Sequence, residues 1–108
     1  MIDERQRLFG LLVKRRLDRA KRQKGFKFIG LRNIIKRRGA VAVAKSFLSE
    51  HNTGNLNDGL RLLVRAGLSD LSVEQAVIDC EKFKLFSKKE VLSAKKRLKF
   101  AKAFFDKK

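Results

Sequence analysis

The chain has 108 residues, 28 of them Lys or Arg against 11 Asp or Glu, giving a formal net charge of +17. That length supports one modest core and is too short for two ordinary ones, so a single domain is expected over 1–108. The charge excess is larger than any fold requires and adds self-repulsion, so it asks for a polyanionic partner, nucleic acid before an anionic membrane or an acidic protein.

No stretch approaches the roughly 20 apolar residues of a membrane span, and no signal-type apolar segment follows Met1, so a cytoplasmic protein is expected and a membrane partner is not. Cys80 is the only cysteine and cannot form an internal disulfide. Neither metal-ligand spacing nor a Gly-rich phosphate loop occurs, so no metal, cofactor or enzymatic activity is expected.

Proline is absent and Leu, Lys, Arg and Ala dominate, which predicts an all-α protein, a single compact bundle of about five or six short helices. The first helix is read over Asp3 to Lys24, with Phe9, Val13, Leu17 and Ala20 on one face and Leu8 and Leu12 beside it. The second, Phe28 to Arg38, turns Leu31, Ile34 and Ile35 inward and stops at Gly39. A third, Ala40 to Glu50, buries Val43, Ala44, Phe47 and Leu48, and "HNTGN" follows as a loop. The fourth spans Leu56 to Ala66 and ends at Gly67. Ser72 with Gln75 fits a capping box, and Val73, Ala76, Val77, Cys80 and Phe83 then form an amphipathic stripe. Ser87 with Glu90 makes a second box, with Phe86 and Val91 placed as a hydrophobic staple. The last helix runs to about Phe105, carrying Val91, Ala94, Leu98, Ala101 and Phe105 on one stripe and Lys88, Lys95 and Lys102 on another face.

Charge is segregated along this layout. Residues 1–45 carry +12, residues 46–81 carry −4 and residues 82–108 carry +9, so a basic start and a lysine-rich end flank an acidic helical centre. The eleven cations Lys14, Arg15, Arg16, Arg19, Arg22, Lys24, Lys27, Arg32, Lys36, Arg37 and Arg38 are the expected nucleic-acid-binding residues. Within 14–38 the only acid is Asp18. Arginine's planar fork suits bidentate phosphate contact, whereas the C-terminal lysines act as point charges. Lys88, Lys95, Lys99 and Lys102 are therefore expected to be auxiliary, in a set that also holds Lys89, Lys96 and Arg97.

Two stretches resemble known nucleic-acid motifs. "KGFKFIGL" (24–31) resembles the aromatic strand of RNA-recognition and cold-shock domains, but helices on both sides leave no sheet to hold it. The residues are read instead as a stop at Gly25, with Phe26 or Phe28 plugging the core. "LLVRAGLSDLSVEQAV" (62–77), within a corner at 56–82, resembles the DNA-binding helix-turn-helix, with Ala66 and Gly67 at the turn, Leu68 as a plug and Ser72 as a cap. That resemblance tilts the reading toward DNA over structured RNA. The second helix presents Asp70, Glu74, Gln75, Asp79 and Glu81, which phosphates repel, so it is expected to form a core corner and not a groove reader.

The function expected is thus a non-catalytic protein that grips the phosphate backbone. The alternatives are a structured-RNA binder of ribosomal or regulatory type, or an adaptor whose centre, 46–81, docks a protein while its basic ends hold a polyanion. His51, beside Glu50, is read as a surface residue. Cys80 is read as a buried small hydrophobe. Phe104 and Phe105 are read as exposed candidates for anchoring a partner.

Overall fold

A computed structural model describes residues 3–49 and 58–105. Among these residues there is no strand; six α-helices follow in order, with two 3-10 turns between the later ones. They are α1 (Glu4–Lys24), α2 (Ile29–Arg38), α3 (Ala40–Leu48), α4 (Asp58–Arg65), α5 (Val73–Asp79) and α6 (Lys88–Phe105). The readings of Glu50, His51 and the "HNTGN" loop lie outside the described residues, as do the side chains of Phe104 and Phe105.

The helix ends follow from local chemistry. Asp3 caps α1 by accepting the Arg5 N–H at 2.8 Å, and Gly25 closes it by donating its N–H to the Lys21 carbonyl at 2.8 Å. Gly39 has φ 89° and stands alone between α2 and α3, a left-handed value that a side chain would resist. At the start of α6 both halves of the capping box form. Glu90 Oε1 accepts the Ser87 N–H at 2.8 Å, and Ser87 Oγ accepts the Glu90 N–H at 3.1 Å. Phe86 and Val91 are buried in one cluster, where the staple puts them.

The core sits between α1, α3, α5 and α6. Phe9, Val13 and Leu17 of α1 meet Ala40, Ala44 and Leu48 of α3, Val73, Ala76 and Val77 of α5, and Val91 and Ala94 of α6. Phe9 is fully buried and packs edge-to-face on Phe86, ring centroids 5.1 Å apart. Fully burying one such side chain contributes roughly 1.5–3 kcal/mol, so the α1 stripe alone fixes that helix to the rest. Leu60 and Val64 of α4 pack on Leu98 and Ala101 of α6 in a second cluster. A third joins Ala20, Leu63 and Leu71, with Phe26, Phe28 and Leu68 against it.

"KGFKFIGL" spans the end of α1, a four-residue turn at 25–28 and the start of α2. Phe28 takes φ 50°, uncommon for a bulky residue, and its ring stacks edge-to-face on Phe26 at 5.9 Å. Three details differ from expectation. Helix α2 has no buried residue: Leu31 and Ile35 are half-buried, and Ile34 faces solvent. Phe47 is half-buried. Arg97, grouped with the surface lysines, is interior. The first two share a cause: α2 is a surface layer resting on α3.

Candidate nucleic-acid interface

The basic surface is built first by α1. Its inward stripe of Phe9, Val13, Leu17 and Ala20 leaves the opposite arc to solvent. On that arc Arg15, Arg19 and Arg22 recur at i, i+4 and i+7, and all three are exposed. The stripe is about 10 Å long, and the same length of duplex DNA carries about six phosphate charges. Lys14 stands on the flank toward α2. Lys21, which is not among the eleven expected contacts, is exposed on that flank one heptad later. Only its charge marked it in the sequence.

Helix α2 adds a second wall. A groove of about 480 Å³ runs between the two helices, with Lys14 on one side, Lys36 and Asn33 on the other, and Gly10, Leu17 and Ile35 as its floor. Arg32 lines it too. Its Nη1 donates to Asp18 Oδ1 at 2.8 Å and its Nε to the Lys27 carbonyl at 2.8 Å, while Nη2 is buried without a hydrogen-bond partner. Asp18 is held below the usual carboxylate range chiefly by the Arg32 hydrogen bond, which outweighs an opposing burial effect, with the Arg32, Lys14 and Arg22 charges adding to it. The local field is therefore positive even at its one acid. Lys24, Lys27, Lys36, Arg37 and Arg38 are exposed.

Two of the eleven expected contacts are committed within the fold. Besides Arg32, Arg16 is only 19% exposed and donates from Nη2 to Asp79 Oδ2 at 2.6 Å, tying α1 to α5. Gln75 donates to the other oxygen of the same carboxylate at 3.0 Å. These residues line a second groove, of about 540 Å³, in which Arg15, Arg19 and Arg22 face Asp70 and Asp79. The remaining nine expected residues keep their side chains in solvent.

The corner at 56–82 keeps the turn chemistry of the motif it resembles. Gly67 has φ 75°, and Leu68 donates its N–H to the Leu63 carbonyl at 2.7 Å, closing α4 in a left-handed cap. Ser72 Oγ accepts the Gln75 N–H at 3.1 Å. A 3-10 turn, Ser69–Leu71, is interposed, however, and the helix that follows is only seven residues long. Val73, Glu74, Ala76 and Val77 of α5 are all buried, so the corner does not amount to a groove-reading helix-turn-helix. Glu74, expected on the solvent face, instead accepts from Arg97 Nε at 3.0 Å, both side chains no more than 3% exposed. The reason is reciprocal: each charge can leave water because the other meets it.

At the C-terminal end Lys88, Lys95, Lys99 and Lys102 are exposed along α6, as are Lys89 and Lys96. Leu92 and Phe100 are exposed among them. Cys80 is buried, and its thiol is pushed up first by burial and then by Asp79, with Arg16 and Lys82 opposing. Among the described residues no three His, Cys, Asp or Glu side chains gather as a metal site, and no helix is long and apolar enough to cross a membrane. No protein-family model, curated protein or solved structure matches this chain.

Proposed function

We propose that this chain is a non-catalytic nucleic-acid-binding protein that grips the phosphate backbone with the exposed cations of α1 and α2. The observation that carries the reading is the concentration of exposed cations in residues 14–38, around the Arg15, Arg19 and Arg22 stripe, where the single acid is already paired with Arg32. Such a surface attracts phosphates through Coulomb force and counterion release, and it needs no base contact. The groove between α1 and α2 adds donors at Lys14, Lys36 and Asn33.

The tilt toward DNA rested on the helix-turn-helix resemblance of 62–77, and the interposed 3-10 turn and buried face of α5 lend it no further support. Structured RNA and duplex DNA, both dense in phosphate, stand level as ligands. The adaptor reading loses support as well, because Glu74 and Asp79 of the acidic centre are engaged by Arg97 and Arg16. A cytoplasmic site of action fits the lone cysteine and the nucleic-acid ligand.

The test is binding of labelled duplex DNA and of hairpin RNA by fluorescence anisotropy. The triple variant Arg15→Ala, Arg19→Ala, Arg22→Ala should weaken both about tenfold or more and to similar degrees across sequences, since backbone contacts position without specifying. Binding that is unchanged in the triple variant, with the fold confirmed by circular dichroism, would contradict the proposal.

A further inference from the structure

The arginine and lysine surfaces point in different directions. Helices α1 and α6 each bury an apolar stripe in the core they share with α3 and α5: Phe9, Val13 and Leu17 from α1, Val91 and Ala94 from α6. Their charged arcs are the sides turned away from that core, so they diverge. On α6 the exposed cations Lys88, Lys95, Lys99 and Lys102 extend over fifteen residues, a rise of about 21 Å. Going round from the arginine stripe toward α5, the surface meets the carboxylates of Asp70 and Asp79, which line the groove opposite Arg15 and Arg19. Asp79 is already paired with Arg16, but residues 66–81 hold no Lys or Arg, so the two cationic fields are separate patches with a cation-free stretch between them.

Double-helical nucleic acid is stiff over such distances, and the molecule is 22 Å across its thinnest axis. One straight segment lying on α1 and α2 does not curl round this thickness to reach α6. A purely solvated lysine face would account for the charge. It gives no reason for Leu92 to stand 51% exposed among the lysines, where a contacting surface would cover it.

From this arrangement, and resting on the backbone-binding reading above, we infer that the protein bridges two double-helical nucleic-acid segments, one held by α1 and α2 and the other by the α6 lysine face. The match is one of charge: α6 offers flexible point charges suited to unspecific backbone contact with a second segment.

The experiment uses the full chain with one duplex immobilised and a second, fluorescent duplex in solution. Wild type should capture the second duplex, and capture should fall when protein is in excess because each segment then carries its own copy. The variant Lys88→Ala, Lys95→Ala, Lys99→Ala, Lys102→Ala should bind a single duplex within about threefold of wild type yet lose capture by about tenfold or more. Sedimentation equilibrium should find a monomer. Capture by the lysine variant equal to wild type, capture explained by a dimer, or anionic vesicles displacing the second duplex while the first stays bound would each overturn the inference. Single-duplex binding without any capture overturns bridging alone, whereas no binding to any duplex or hairpin sinks the parent reading together with it.

Discussion

Arg97→Met is the substitution whose consequence the structure determines most closely. Met keeps much of the length and apolar bulk of the arginine stem, so the change leaves little cavity and acts mainly on charge. Glu74, 2% exposed, loses the guanidinium whose Nε stands 3.0 Å from its Oε2. Removing one partner of a buried pair costs about 3–5 kcal/mol, because the surviving charge stays desolvated without compensation. With an unfolding entropy near 2.1 cal/mol/K per residue, the 108-residue chain should melt about 13–22 °C lower. The partner substitution completes the argument. In Glu74→Leu with Arg97→Met both charges of the pair are gone, so the double variant should recover part of the loss and the single effects should not add. Urea and thermal melts followed by circular dichroism measure all four corners of the cycle. A single variant that melts within about 2 °C of wild type, or single effects that simply add in the double, would refute the claim that this pair pins α6 to α5.

Three further outcomes follow from local geometry. Ser87→Ala removes the acceptor of the Glu90 N–H and should cost about 0.5–2 kcal/mol in a urea melt, with Ser87→Gly losing only a few tenths. Gly30→Ala lies inside α2 with nothing within 4 Å of the added carbon, so it should stabilise by about 0.5–1 kcal/mol; a destabilised melt would show α2 to pack more closely than described. Cys80 should react with an aromatic disulfide reagent far more slowly in the folded protein than after unfolding. Because the folded state disfavours its thiolate, stability from this group is intact below the ordinary thiol range and is lost as pH rises through the raised folded value. Rapid labelling at neutral pH would show the site to be open.

The helices were legible where apolar period and capping agreed. Phe9, Val13, Leu17 and Ala20 recur at helical spacing, and that stripe is the buried face of α1. Ser87 and Glu90 stand three apart, a spacing at which two side chains can only help if a helix starts there, and both bonds form. Ile34 was misread because periodicity marks an apolar side chain without saying whether a neighbour covers it, and α2 lies on the outside. Arg97 and Glu74 were misread for a different reason. Each flanks the inward stripe of its own helix, but a charge reads as surface until its partner, 23 residues away, is known. Arg16 and Arg32 share that limit: local sequence gives a cation's position on its helix, not the Asp79 or Asp18 that fixes its side chain. Arg15, Arg19 and Arg22 were marked in the sequence by their charge, as three of the eleven expected contacts, and the structure sets them on one exposed stripe.

The central claim is that exposed cations of α1 and α2 meet phosphates, and the salt dependence of binding measures this most directly. If about five to eight of them do so, log affinity of the wild-type chain for duplex DNA should fall against log salt with a slope of about −4 to −7. Arg15→Ala, Arg19→Ala and Arg22→Ala together should flatten that slope by up to about three, with a smaller change from Lys95→Ala, Lys99→Ala and Lys102→Ala. A wild-type slope near zero, or a slope that the lysine triple flattens more than the arginine triple, would contradict the account.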